Sequence, residues 1–368
     1  LYFNNMKDDN RIVMTLDAGG TNLVFSAICG GEEIVTPVHY PTASHDLEAC
    51  LATLVKGFRE VESQLSQKPV AISFAFPGPA DYRAGIIGDL PNFPSFRGGI
   101  ALGPFLEANF GIPVFINNDG ALFAYGEALA GMLPEINNRL EKAGSTKRYQ
   151  NLIGITLGTG FGGGVVINGE LLYGDNQSGG SLWCLRNKKY PEYIVEESVS
   201  IRAVCRVYAQ LSGDTTQLTP KDIFDIAEGK RRGDAQAAIK SFEELGEMAG
   251  DTIAAAITMI DGLVVIGGGV VGAAKYILPA LMKELNAQTG MMDGRRFPRL
   301  QMKAFNLENP EELVGFLTDT SYSVKVPGTD LQVPYDPYPR MGVALSKLGA
   351  SKAISLGAYW YALNHLIK

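Results

Sequence analysis

Cysteine and histidine are scarce, with four and three residues in a chain of 368. Cys29, Cys50, Cys184 and Cys205 lie far apart and form no CxxC pair. Neither a disulfide framework nor a thiolate zinc site is therefore expected, and a reducing cytoplasm fits best. His39, His45 and His365 share no ligand spacing, and Trp183 and Trp360 are read as packing residues. Positive charge is also short: 32 Lys and Arg stand against 39 Asp and Glu, a net charge of −7. That balance argues against a nucleic-acid partner and an anionic membrane surface, so any phosphate must be held by local geometry. Long apolar runs are missing too. The stretch around Ile253–Ala274 is broken by Asp261 and several glycines, and LYFNNMKDDN is polar, so neither a membrane span nor a signal peptide is expected. Met6 is the expected natural start, and Leu1–Asn5 are set aside. The sequence lacks GxxxxGK[ST], and the GxGxxG spelling in LGTGFGGG precedes a strand, so that match is read as accidental for a dinucleotide.

What is present is a 46% hydrophobic, 19% charged chain with 43 glycines, the make-up of a soluble globular enzyme of two domains. RIVMTLDAGGTNLVFSAIC at 11–29 predicts two strands around a glycine turn. Apolar residues at helical spacing (Leu47, Leu51, Leu54, Val55, Phe58, Val61) predict a helix over 47–64, followed by a strand over 70–76. A strand over 113–116 runs into Asn117-Asn118-Asp119-Gly120 and a helix over 121–130, and this alternation indicates an α/β class. Residues 151–174 repeat the opening theme around Leu157-Gly158-Thr159-Gly160, and 198–260 reads as mostly helical. A third glycine turn, Gly267-Gly268-Gly269, follows a strand at 263–266 and enters a helix. The 290–340 stretch reads as an irregular insertion, and 341–366 as a small-residue helix.

A single glycine turn is usually structural, because glycine tolerates tight backbone geometry. Three such turns beside strands, two bearing threonine, form concavities of backbone N–H groups suited to a nucleotide polyphosphate. Gly19, Gly20, Thr21, Asn22, Gly158, Thr159, Gly160, Gly267, Gly268 and Gly269 are the candidate nucleotide-binding residues. A carboxylate beside phosphates is useful only with a cation, so Asp17 implies Mg²⁺, held through water; a turn-forming Asp remains the alternative. Asp119 is either a general base for a sugar hydroxyl or a helix cap.

The ordered motifs resemble the ROK family of sugar kinases and sugar-responsive repressors, within the hexokinase and actin-like superfamily. LDAGGTN at 16–22 and LGTGFGGG at 157–164 are similar to its two phosphate motifs, FPGPADYRAGIIGDLPNFPSF at 76–96 to its sugar-side loop, INNDGALFAYGE at 116–127 to its catalytic segment and MIDGLVVIGGGVVGA at 259–273 to its adenosine segment. The resemblance implies an α/β fold of two actin-like ATPase (ribonuclease H-like) domains around a nucleotide and sugar cleft. The first would span 6–127, completed by a C-terminal helix at 341–368, and the second 128–340 with an insertion at about 290–340. It implies a glucokinase-like, ATP- and Mg²⁺-dependent hexose kinase acting at the 6-hydroxyl, with Asp119 as base. It further implies Gly78, Asn92, Asn118 and Glu196 as sugar neighbours, Asp17 as metal-side carboxylate and a homodimer. The family's GExGH and CxCGxxGC motifs are absent: Gly180 stands where the sugar-binding Glu is expected, Trp183 stands near the expected His, and Cys184 is alone. A different sugar, a rebuilt pocket or a non-catalytic sugar- or nucleotide-binding protein follows as the alternative.

Overall fold

A computed structural model describes residues 9–19, 21–90 and 93–366. The chain divides into two compact units. One holds the described residues up to Gly131, the segment Gly169–Gly179 and the chain from Leu348 on; the other holds Met132–Asn168 and Gly180–Lys347.

The sheet of the first unit runs Glu32–Glu33, Asn22–Cys29, Ile12–Ala18, Ala71–Ala75, Val114–Asn117, with Val38–Pro41 also on Asn22–Cys29. Ile12–Ala18 pairs antiparallel with Asn22–Cys29 and parallel with Ala71–Ala75, which is parallel to Val114–Asn117. These strands read as near-continuous apolar runs because both faces are covered. Helix Leu47–Ser63 starts where the Asp46 side chain accepts the Ala49 N–H, and it buries Leu54, Phe58 and Val61 against one face.

Helices Asp119–Leu129 and Ala350–His365 cross backbone to backbone within this unit. A Cβ added at Gly126 would lie 1.9 Å from the Ala353 carbonyl oxygen, and one at Gly357 would lie 2.0 Å from that of Leu122. Only hydrogen fits at either place, which is why a helix of this small-residue make-up packs here.

The second unit repeats the arrangement: Phe161–Ile167 is antiparallel to Leu152–Leu157, which continues in parallel through Leu263–Gly267, Arg340–Leu345 and Lys303–Asn306. The long helix Ala235–Ile260, capped by Asp234, buries Phe242, Leu245, Ile253 and Ile257 in this core.

Two expectations are revised. The stretch 290–340 is not irregular throughout: Lys303–Asn306 is a strand of the sheet and Pro310–Leu317 a helix, and the hairpins Gln288–Gly290/Arg296–Pro298 and Tyr322–Lys325/Gln332–Tyr335 are exposed. The helix predicted from Met341 begins only at Ala350. Arg340–Leu345 is a strand instead, because its Met-Gly-Val-Ala run is buried between two parallel neighbours, a tertiary demand that overrides local propensity.

The crossing gives a test. Gly126→Ala gains about 1 kcal/mol of helix propensity, but relieving the overlap with Ala353 costs about 1–3 kcal/mol or more. Urea unfolding should show a net loss of stability; a higher midpoint would mean that the helices separate freely.

Candidate active site

In the first unit, three parallel strands end together. Asp17 is in register with Ala75, and Ala75 with Asn117, so the residues that follow emerge from one edge of the sheet. Ligands of parallel α/β sheets sit at this carboxyl edge. Asp17, Asn118 and Asp119 gather there, together with the loop beginning Phe76-Pro77-Gly78. Asn118 is the N-cap of helix Asp119–Leu129, its side chain accepting the Gly120 N–H at 2.9 Å. Asp119 is the first helical residue. One of its oxygens accepts the same N–H at 2.8 Å, and the residue is exposed. The Gly120 N–H is thus shared between Asn118 and one Asp119 oxygen, and the other Asp119 oxygen takes no part in the cap.

Asp17 is open to solvent, yet surrounding protein and then the Asp119 charge both push its carboxyl pKa up. Two carboxylates aimed at one region are a donor set that suits a divalent cation. Tyr82 closes the other side: its hydroxyl donates to the Phe76 carbonyl at 3.0 Å, and burial pushes its pKa up to about 12, Asn118 hydrogen bonding opposing and Asp119 adding to the rise. Gly78 lies beside it, a Cβ there being 3.0 Å from the Tyr82 hydroxyl. Gly19 N–H bonds the Asn22 carbonyl at 2.9 Å, closing the first turn, while Thr42 holds it through the Gly19 carbonyl at 2.7 Å. Thr21 and Asn22 are exposed at the tip. Gly20 and Asn92 lie outside the described residues.

The remaining candidates are in the second unit. Gly158 and Gly160 close a tight turn (Gly158 N–H to Gly160 carbonyl, 3.1 Å) with Thr159 exposed. Glu196 fastens this turn. Its carboxylate accepts the Phe161 N–H at 2.9 Å and an Arg202 N–H at 3.0 Å. The acid expected near a sugar is thus already engaged on both oxygens, each of which retains a second lone-pair direction. Gly267 ends its strand and Gly268 turns at φ +98°, where a Cβ would lie 2.3 Å from the Leu157 carbonyl; Gly269 opens the following turn with nothing near it. The structure thus brings Asp17, Gly19, Thr21, Asn22, Gly78, Asn118 and Asp119 into one unit, and Gly158, Thr159, Gly160, Glu196, Gly267, Gly268 and Gly269 into the other.

Sequence reasoning missed Tyr173, whose hydroxyl donates to Asn117 Oδ1 at 2.6 Å, and Gln177, which bonds Asp81 and the Arg83 N–H. It also missed Asn187. This fully buried amide donates to Ser198 Oγ at 2.8 Å and accepts the Lys189 and Tyr190 N–H groups, organising the loop where a cysteine cluster would stand in the resembled family. Gly180 has φ +78°, and Trp183 is exposed, so the latter is not the packing residue expected.

Comparison with known proteins follows the geometry. The model of the ROK family matches residues 13–317. A crystal structure of glucokinase from Parabacteroides distasonis ATCC 8503 is 65% identical, with a TM-score of 0.91 over 99% of this chain and 100% of that one. An N-acetylgalactosamine kinase of Shewanella sp. strain ANA-3 is 25% identical over 306 residues, 79% of this chain and 91% of the relative. A ROK family glucokinase from Streptomyces griseus, in complex with glucose and AMPPNP, shares the fold at 18% identity, with a TM-score of 0.59 over 95% and 98% of the two chains.

The raised pKa of Asp17 carries a pH signature. Its folded value lies above the unfolded one, so the folded state holds the extra proton between the two, and stability falls as pH rises through that window. Asp17→Asn should therefore flatten the pH dependence of ligand-free thermal unfolding above the ordinary carboxylate range and match or exceed wild-type stability at neutral pH. A variant less stable at neutral pH would contradict this account by burial and like charge.

Proposed function

The chain belongs to the ROK family, has the actin-like ATPase fold and is an ATP-dependent sugar kinase, and we propose that it phosphorylates a hexose with Asp119 as general base. The observation that carries the assignment is the pair of carboxylates, Asp17 and Asp119, at one carboxyl edge of the first unit's sheet, on either side of strand Ala71–Ala75. One Asp119 oxygen shares the Gly120 N–H with Asn118, and the other is left for a substrate hydroxyl. Its role is to take the hydroxyl proton as that oxygen attacks phosphorus. Asn118 and the backbone at Gly78 orient the sugar, and Asn92 is assigned to the same task from the motif. When bound, ATP supplies the phosphoryl group and Mg²⁺ offsets its charge; Asp17 would hold the cation through water. The turns at Gly19–Asn22, Gly158–Gly160 and Gly267–Gly269 offer backbone N–H groups to phosphate oxygens.

The hydroxyl transferred to is the 6-hydroxyl and glucose is the first substrate to try, as the 65% identical glucokinase suggests. Glu196, bonded to the Phe161 N–H and Arg202, acts on the Gly158–Gly160 turn, and a sugar-side role for it rests on the motif alone.

A coupled ADP-release assay over a panel of hexoses and N-acetylhexosamines tests this. Asp119→Asn should lower kcat about 10²–10⁴-fold, the usual contribution of a positioned base, with little change in nucleotide KM. Activity surviving that substitution would remove Asp119 from the role, and no stimulation by any sugar would favour a binding protein.

A further inference from the structure

Gly169–Gly179 packs with the first unit although the chain on both sides belongs to the second. Two side chains anchor it. Tyr173 donates its hydroxyl to Asn117 Oδ1 at 2.6 Å and sets its ring edge-on to Tyr361 with centroids 6.1 Å apart. Tyr361 in turn stacks on His365 at 3.9 Å. Gln177 accepts the Arg83 N–H at 2.9 Å and donates to Asp81 Oδ1 at 2.7 Å, while Asp81 also accepts the Ala84 N–H. The two anchors therefore land on the two backbone segments beside Asp119. Asn117 is the last residue of the strand leading into it, and Asp81–Arg83 carries Tyr82, whose hydroxyl meets the Phe76 carbonyl.

Asn117 is 1% exposed, and its Nδ2 is buried without a partner. The orientation of this amide thus depends on the hydrogen bond from Tyr173. Its backbone carbonyl accepts the Phe76 N–H at 2.9 Å, joining the strand end to the start of the Gly78 loop. A buried polar group missing one partner is ordinarily selected against, and the remaining bond then bears the whole task of fixing it.

We propose that Gly169–Gly179 is a positioning clip for phosphoryl transfer, in which Tyr173 fixes the Asn117–Asp119 turn and Gln177 fixes the loop that carries Gly78. This inference rests on Asp119 being the base. Tyr173 and Gln177 are positioning residues that touch no reacting atom. Removing the Tyr173 hydroxyl leaves both ends of the Asn117 amide unpaired, so the turn carrying the carboxylate loosens. Misplacement of a reacting group by about 1 Å lowers a rate by about 10²-fold. The nucleotide turns lie on other segments and are left alone, so the loss falls on kcat. A sugar hydroxyl held out of line also lets water take the phosphoryl group.

The test measures kcat, both KM values and the ratio of ADP released to sugar phosphate formed, for wild type, Tyr173→Phe, Gln177→Ala, the double variant and Asp119→Asn, with the best sugar of the panel. Tyr173→Phe should lower kcat about 10–10²-fold with ATP KM within about twofold, and raise the ADP to sugar-phosphate ratio. Gln177→Ala should move the same quantities less, and the double variant should depart from the product of the singles, as expected for residues that share one element. A purely structural role would lower the melting temperature and leave the product ratio at one. If Tyr173→Phe does not fold, Gln177→Ala decides, because its hydrogen bonds lie at the surface. Wild-type kcat and product ratio in the folded variants, beside an inactive Asp119→Asn, would overturn the clip alone. An active Asp119→Asn would overturn the base and the clip with it.

Discussion

Like charge at one carboxyl edge of the sheet is the constraint around which the first unit is arranged. Asp17 and Asn117 end strands separated by one other, a backbone spacing of about 10 Å, and the Asp119 carboxylate lies close enough to push the Asp17 pKa up. Nothing in the unit's hydrophobic core relieves that repulsion. It is tolerated because the sheet fixes both strand ends, and a cation with a polyphosphate would turn the same repulsion into binding energy. The fold thus stores at its carboxyl edge an electrostatic deficit matched to the ligand of a kinase.

The two units answer the anion problem by different means. In the first, the glycine turn is braced by Thr42 on the Gly19 carbonyl; in the second, by a charged pair, Glu196 and Arg202, at the base of the Gly158–Gly160 turn. Both solutions use side chains to brace a glycine turn instead of supplying a lysine. That agrees with a net charge of −7 and with the proposed holding of phosphate by backbone dipoles.

Much of this was legible in the sequence, and the reason is local. Asp17 lies near the end of one apolar strand of the first unit and Asp119 just after another, where alternation and turn residues mark the strand ends, so the edge these two share follows from the α/β pattern. What was not legible depends on distant partners. Arg340–Leu345 resembles helix until two parallel neighbours are supplied, and Lys303–Asn306 is too short to stand out in a proline-bearing stretch. Glu196 carries no mark of its bond to Phe161, and Tyr173 none of its bond to an asparagine 56 positions earlier. Trp183 shows the converse failure: its size suggested packing, yet it lies exposed.

The buried amide of Asn187 has a consequence for how this protein endures its surroundings. The loop from Trp183 to Ser198 takes its shape from that amide, from the Asn187 N–H on the Tyr193 carbonyl and from the buried Val195. Every one of these groups is present as soon as the chain is made. A segment fastened in this way draws its form from bonds among its own residues. Oxidants that attack sulfur find there only Cys184, which bonds nothing but the nearby Ser181 carbonyl and can be modified while the fastening stays intact.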